Sequence, residues 1–211
     1  MKKLITTLII AMSVVVFVSC NNKTWYTALG NASFATDKIW TISGNGITQI
    51  WSDAVQTDYC SNKTSFDGGD FRTSTFNIDC RSNPEFSGDL FSWQAVYELR
   101  DELCPYPWRV PTMEDFVDLD IALGGTGRWR QATAENAQFV VDNYINRWGG
   151  AFGGICGSNG TLHNQGLWGH YWSLSDENVD FGFRLRFTKP GLISPEDVDG
   201  KGAGFSLRCI R

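Results

Sequence analysis

The stretch from Phe91 to Leu119 constrains the fold more than any other part of the chain. After Ser92, a residue type that caps helix N-termini, apolar residues recur at the spacing of one helical face. These apolar positions are Trp93, Val96, Tyr97, Leu99 and Leu103. The sequence therefore predicts a helix after Ser92 with its apolar face turned inward.

A proline-rich crossing and a second helix follow the first helix. Pro105 and Pro107 end the first helix, because proline lacks an amide hydrogen and clashes with the preceding turn. Thr112 is predicted to begin the second helix, since its hydroxyl can cap the amide of Asp115. The inner face of that helix is predicted to comprise Phe116, Leu119 and Leu123.

Residues 1–20 have the pattern of an export signal. Lys2 and Lys3 precede an apolar run from Leu4 to Val18, which is short for a membrane span, and the run ends at Cys20. This pattern resembles a bacterial lipoprotein signal, in which the cysteine is lipidated and becomes the new N-terminus. An ordinary secretory signal is the alternative, and both predict an exported protein.

The segment after the signal indicates where an anchored protein would lie. Residues 21–35 are polar and are predicted to form a tether. Asn21 is not the aspartate that marks inner-membrane retention, so we expect the outer membrane of the cell envelope. The acidic run that sends some lipoproteins to the cell surface is missing, and surface exposure stays open.

Composition limits the classes of partner. Residues 36–211 suit a single domain with a sizeable core. A net charge of −5 without a basic cluster argues against nucleic-acid binding. No apolar run beyond the signal is long enough to cross a bilayer, so membrane contact is predicted through the N-terminal lipid alone.

Five cysteines follow Cys20, and export permits disulfides among them. Cys60 and Cys80 bracket a polar stretch and can close a local loop. Cys104 and Cys209 can close a loop of about 100 residues, for which chain entropy gives about 4.7 kcal/mol, against roughly 3 kcal/mol for the short loop. Cys156 is then the leftover thiol. The sequence by itself leaves the pairing open.

The remaining regular structure is read from patterns of apolar residues and glycine. Residues 38–51 are predicted to form two strands around a Gly-Asn-Gly turn, and residues 53–88 to be irregular. A helix is predicted over residues 133–148, ended by two glycines. Later strands are predicted at residues 171–175, 181–187 and 204–210.

Three motifs together resemble one protein family. They are SWQAVYELRDELCPYPWRVPTMEDFVDL, GSNGTLHNQGLWGHYWSLSDEN and GFSLRCIR, and they occur in the order typical of the Fibrobacter succinogenes major paralogous (FISUMP) domain family. The resemblance implies an α+β, C-type-lectin-like fold, with two or three helices flanking a twisted antiparallel sheet with long loops. It also implies that Cys104 and Cys209 are joined, and it says little about activity.

The sequence predicts neither a metal site nor an enzyme. The calcium-binding motifs of C-type lectins are absent, and the acidic residues near Asp176 are expected to be solvated loops. His163 and His170 lack nearby cysteine pairs and are expected on a loop surface, so no zinc site is predicted. Formylglycine-type oxidase chemistry needs paired reactive cysteines, and only Cys156 is expected to be free. We therefore expect neither a catalytic residue nor a cofactor.

Ligand binding is the remaining function, and the resemblance places it on the long loops and strands near the end of the chain. Exposed aromatic rings can stack on sugars or anchor proteins, while Asn, Asp and Arg supply directed hydrogen bonds. The candidate ligand-binding residues are Trp168, His170, Tyr171, Asp176, Asn178, Arg184 and Arg186. Trp172 and Phe183 are expected in the core instead.

The leading hypothesis is an exported, lipid-anchored protein whose lectin-like domain binds a glycan or a protein of the cell envelope without calcium. One alternative is a structural subunit of a surface assembly or pilus. Another is a retroelement-diversified binding protein, because such lectin-fold proteins vary in a segment that precedes a similar Gly-Phe-Ser-Val-Arg ending. Residues 181–211 are not enriched in Asn and Tyr, which argues against diversification.

Overall fold

The computed structural model describes residues 32–57, 88–157 and 161–211, and it confirms the α+β class. The helices are α1 (Trp93–Glu98), α2 (Arg100–Leu103), α3 (Met113–Ala122), α4 (Ala134–Phe139) and a π-helix (Val140–Arg147). The strands are β1 (Ala32–Phe34), β2 (Trp40–Gly44), β3 (Ile47–Thr57), β4 (Ile155–Cys156), β5 (Leu162–His163), β6 (Trp168–Asp176), β7 (Phe181–Thr188), β8 (Ile193–Gly200) and β9 (Arg208–Ile210).

The first sheet is organised around β3, which pairs antiparallel with β1, β2 and β9. Asn45 and Gly46 both have positive φ, so the predicted Gly-Asn-Gly turn joins β2 to β3 as a tight hairpin. β3 continues to Thr57, which corrects the prediction of irregular structure from Asp53 onward. β1 lies within the predicted tether and is held by its pairing with β3.

The second sheet is an antiparallel β6–β7–β8 meander. The predicted strands at residues 171–175 and 181–187 lie within β6 and β7, and both are confirmed. β8 was missed because its sequence, ISPEDVDG, contains proline and three acids instead of alternating apolar residues. Long-range pairing and ion pairs with β7, described below, hold this polar strand in the sheet.

The two helical segments predicted within residues 91–119 begin at the predicted residues. The Ser92 hydroxyl accepts from Ala95 N, and Thr112 and Asp115 form a reciprocal capping box. Two details differ from the prediction. The first helix is interrupted at Leu99, and Tyr97 is 45% exposed instead of facing inward.

The helix predicted over residues 133–148 is confirmed, but its second half is a π-helix. Thr133 caps α4 through the amide of Asn136. The wider π-helical turns place Tyr144 and Trp148 in the core, where Tyr144 stacks on Phe187 at 4.8 Å between ring centroids. The π-helix therefore contributes two aromatic side chains to the core that packs against strands of both larger sheets.

Arg208 is a fully buried cation that joins three parts of the fold. Its Nε donates to Ser52 O in β3 at 2.7 Å, and its Nη1 donates to Trp148 O at the end of the π-helix. Its guanidinium also lies 4.5 Å from the centre of the Trp148 ring. Burial lowers the pKa of Arg208 to about 10, although Tyr171 and Asp53 oppose the shift. The group therefore stays charged at neutral pH, where the carbonyls at a helix C-terminus favour a cation.

The Cys104–Cys209 disulfide is present and joins the end of α2 to β9. The expectation that Cys156 is a free thiol is wrong. Cys156 is disulfide-bonded, and its partner lies outside the described residues, as do Cys20, Cys60, Cys80 and the predicted signal. Within the described ranges, no helix is long and apolar enough to span a membrane.

Removing the Cys104–Cys209 bridge is expected to destabilise the protein by about 3–5 kcal/mol, because the bridge spans 105 residues and restricts the unfolded chain. The test is guanidinium unfolding of Cys104→Ala, Cys209→Ala and the double variant. Each single variant already breaks the bridge, so the double variant is expected to lose little more. If the free energy of unfolding of the double variant is less than about 1 kcal/mol below that of the wild type, the prediction is contradicted.

Candidate functional site

The structure separates the seven candidate ligand-binding residues by exposure. Asp176 and Asn178 are exposed at the β6–β7 turn, and Trp168 and Arg186 are partly buried. His170, Tyr171 and Arg184 are buried, with exposed fractions of 0%, 1% and 4%. The prediction that these three belong to an exposed face is therefore wrong.

The buried candidates differ in their surroundings. Tyr171 lies in the aromatic core, and its hydroxyl accepts a hydrogen bond from Ala151 N at 2.8 Å. Burial raises the pKa of Tyr171 to about 12, so it stays neutral. His170 and Arg184 instead belong to a charged row across β6, β7 and β8, in which Arg184 Nη2 lies 3.0 Å from Asp197 and 2.9 Å from Asp199.

Arg186 extends the charged row toward Trp168. Its guanidinium lies 4.6 Å from the centre of the Trp168 ring, and its Nη1 lies 3.6 Å from Asp197. The two arginines of β7 are thus balanced by the two aspartates of β8. These ion pairs hold β8 in the sheet. Because the charges of the row neutralise one another, they are largely unavailable to a ligand.

His170 is neutral within this row. Its Nδ1 is 2.5 Å from Arg184 Nη1, and a guanidinium only donates, so the imidazole carries its proton on Nε2. Burial, together with the charges of Arg184 and Arg186, holds the pKa of His170 well below its usual value. The ring stacks on Phe205 at 4.8 Å. His170 thus serves as a packed hydrogen-bond acceptor.

The neutral state of His170 predicts a loss of stability in acid. The unfolded chain binds a proton near pH 6.5 and the folded protein does not, so stability is complete above about pH 6.5 and falls below it. The slope from this residue is about 1.4 kcal/mol per pH unit until the folded pKa is reached. The measurement is denaturant unfolding at pH 7.5 and 5.5.

The comparison uses the two histidines of the chain, His163 and His170. His170→Gln keeps an oxygen that accepts from Arg184 and is expected to remove about 1.4 kcal/mol of the difference between the two pH values. His163→Gln changes an exposed residue and should behave as the wild type. An unchanged pH difference in His170→Gln contradicts the prediction.

The exposed candidates belong to a surface that we call the hairpin surface, defined by Tyr97, Asp176, Asn178, Val179 and Phe181. Val179 is 85% exposed, and Tyr97 and Phe181 are 45% and 43% exposed. The Asn178 side chain accepts from the amides of residues 180 and 181, which fixes the turn. The surface therefore combines the Tyr97 ring of α1 and the Phe181 ring of β7 with the polar groups of a fixed turn.

Lys201 and Trp93 support the hairpin surface from beneath. The buried Lys201 donates to Asp176 at 3.1 Å and to Asn178 O at 2.7 Å, and its Nζ lies 4.0 Å from the centre of the Trp93 ring. Trp93 in turn stacks on Tyr97 at 5.1 Å. These contacts connect the turn to α1 and hold its groups in place.

A second feature is a cleft of about 480 Å³, which we call the loop–helix cleft. One side consists of residues 124–126 with Arg130 and Gln131, from the loop after α3. The other side consists of Thr133, Glu135, Asn136 and Phe139, from the cap and body of α4. Polar and apolar surface contribute almost equally to the lining, and the cleft lies between the loop after α3 and the start of α4.

Asp120, buried in α3, fixes the loop side of the cleft. Its carboxylate forms an ion pair with Arg130 and accepts from Tyr144 Oη at 2.7 Å and from Gly127 N at 2.8 Å. Burial and the Asp120 charge raise the pKa of Tyr144 well above its ordinary value, so Tyr144 donates as a neutral phenol. The cleft therefore has a rigid, charge-balanced base.

Asp120→Asn is expected to destabilise the protein by about 3–5 kcal/mol, because it leaves the Arg130 charge without its buried partner. Asp118→Asn is the matched control, since Asp118 is exposed on the same helix and should change stability by no more than about 0.5 kcal/mol. Chemical unfolding measures both variants. Equal effects of the two substitutions contradict a structural role for the Asp120 pair.

The loop–helix cleft was missed by sequence analysis. The sequence of residues 122–131 predicts a glycine-rich loop, and nothing in its pattern shows that Asp120 and Arg130 meet. Tyr97 of the hairpin surface was likewise placed in the core on helical spacing. An aspartate at an otherwise inward-facing helix position was the available signal for a buried ion pair.

Comparisons with protein-family models, curated proteins and solved structures find no match for this chain. Among the described residues, no group of three or more His, Cys, Asp and Glu side chains is arranged to hold a metal ion.

Proposed function

We propose that this chain is an exported, lipid-anchored protein of the bacterial cell envelope whose lectin-like domain binds a protein partner without calcium. Export and lipidation at Cys20 rest on the sequence pattern of residues 1–20. The binding role rests on the hairpin surface. The partner presents a segment with basic side chains to that surface.

The proposed fold family is that of C-type lectins. Its support is the combination of three antiparallel sheets in the described residues, helices beside them, and a disulfide that joins the first helical region to the last strand. Two of the family motifs also have a structural role. The first contains Thr112, which caps α3, and the last contains Arg208, which donates to Ser52 O.

The observation that carries the binding proposal is the exposure of three large apolar side chains around a fixed polar turn. Tyr97, Val179 and Phe181 are exposed to water in the free protein. A bound partner that covers them would gain the free energy of burying their apolar surface. Trp93 and Lys201 hold the surface in place, so a partner meets groups that need little ordering. Aromatic anchors of this kind supply most of the energy of many interfaces.

Charge favours a basic protein segment over other ligands. Glu98, Glu177 and Asp180 are exposed near the aromatic side chains in sequence, and Lys201 offsets the charge of Asp176. A lysine or arginine of the partner can therefore pair with the carboxylates and lie over the Phe181 ring. The Tyr97 ring already has Arg100 of this chain over it, 5.3 Å from the ring centre, so Tyr97 offers a partner its exposed edge. The outcomes below distinguish this from self-association, which the surface-assembly alternative requires.

A photoreactive phenylalanine analogue in place of Val179 tests the proposal in the cells that export the protein. We expect a discrete crosslink to another envelope protein, with the crosslinked peptide rich in Lys or Arg. The matched control places the same analogue at Val141, which is 38% exposed on the π-helix and should give no such product. A crosslink to a second copy of this chain supports the structural-subunit alternative and contradicts the present proposal.

The purified partner then allows a quantitative test with the double variant Tyr97→Ala/Phe181→Ala. We expect affinity to fall at least tenfold, since truncating an aromatic anchor costs about 1–2 kcal/mol or more. Val141→Ala should bind as the wild type does. Binding should also weaken from about 0.05 M to about 0.3 M salt, because screening reduces the charge attraction. Wild-type affinity in the double variant rejects the hairpin surface as the site.

A further inference from the structure

We infer that the loop–helix cleft is a second binding site, separate from the hairpin surface, and that it takes a neutral saccharide of one or two rings. Its volume of about 480 Å³ lies in the range of small-ligand sites. The cleft lies between the loop after α3 and the start of α4, whereas the hairpin surface belongs to α1 and the β6–β7 turn. The two sites share no residue.

The chemistry of the lining fits a ligand with many hydroxyl groups. A sugar hydroxyl both donates and accepts, so it is matched by side chains that offer both roles at fixed spacing. Arg130 supplies donors and Glu135 supplies carboxylate acceptors. The side-chain amide of Gln131 offers both, and Asn136 and Thr133 add the donors and acceptors that their contacts with each other and with Gln131 O leave over. Phe139 lies beneath Arg130, and the part of its side chain that lines the cleft adds apolar surface for the carbon-bound hydrogens of a sugar ring.

The balance of charge favours a neutral ligand. Arg130 is the cation of the lining, and the buried Asp120 already neutralises it. Glu135 is then the uncompensated charge in the lining, and it repels an acidic ligand. The lining therefore presents hydrogen-bonding groups without an excess positive charge. A uronic acid or a phosphate has no free cation to pair with.

The lining is ordered before a ligand arrives. Asn136 donates its side-chain amide to Gln131 O at 2.8 Å, and the Thr133 hydroxyl accepts from Asn136 N at 3.1 Å. Arg130 lies over the Phe139 ring, with 4.4 Å between its Cζ and the ring centre, and is held by Asp120. Ligand binding therefore requires little loss of side-chain freedom in the protein, which favours recognition of a small molecule.

The test is saturation-transfer NMR of the full chain with the methyl glycosides of glucose, galactose and mannose. We expect saturable binding of at least one of them, with a Kd of about 1–10 mM, as suits a ligand of this size. Methyl glucuronide is the charged comparison and should bind at least threefold more weakly than methyl glucoside. Absence of binding by all three neutral glycosides overturns the inference.

Variants then locate the binding. Glu135→Ala removes a carboxylate of the cleft and is expected to weaken binding at least fivefold. The matched control is Gln138→Ala, on the same helix but outside the lining, where Gln138 bonds Asp142. An unchanged thermal midpoint in both variants confirms that they are folded. Equal binding by both variants overturns the assignment to this cleft.

The hairpin variant Tyr97→Ala/Phe181→Ala makes the two sites distinguishable. It should retain full binding of the neutral glycoside, because the cleft contains neither residue. Loss of glycoside binding in this variant places the sugar on the hairpin surface and overturns the inference. Loss of protein binding with retention of sugar binding supports two independent sites.

Discussion

The buried guanidinium of Arg208 is the interaction on which the rest of the structure depends. It donates to a carbonyl of the central strand β3 and to a carbonyl at the end of the π-helix, and it lies over the Trp148 ring. Burying a cation is unfavourable unless its donors are satisfied, so Ser52 and Trp148 must keep their positions. The adjacent Cys209 is bonded to Cys104, which extends the same constraint to the end of α2. The last strand thus connects the first sheet to the π-helix and to the end of α2.

The two proposed sites use this scaffold in different ways. The hairpin surface presents groups on a turn that Lys201 and Trp93 hold against α1. The loop–helix cleft is shaped by Asp120, whose carboxylate accepts from the loop, from Arg130 and from the π-helix through Tyr144. In both, a buried ionic group organises exposed ones. Such an arrangement gives a small ligand or a partner a surface that needs little rearrangement on binding.

The candidate site shows where sequence patterns mislead. Trp168, His170, Arg184 and Arg186 share one face of the β6–β7 sheet, and polar residues there suggested a surface. Asp197 and Asp199 of β8 and the ring of Phe205 cover much of that face and turn its charges inward. Of the seven candidates, Asp176 at the end of β6 and Asn178 in the turn after it are the exposed ones. A charged strand residue therefore signals exposure only when no partner of opposite charge lies across the sheet.

By itself, the sequence determined the local elements of the fold. The caps at Ser92 and Thr112, the Asn45–Gly46 turn and the start of the helix at Thr133 all depend on a few neighbouring residues, and each is predicted correctly. Tertiary structure decided the features that join distant residues. These are the polar strand β8, the Asp120–Arg130 pair, the burial of His170 and Arg184, and the bonding of Cys156. The physical reason is that hydrogen bonding in a cap or turn is local, whereas the burial and pairing of a charge depend on chain segments far away in sequence.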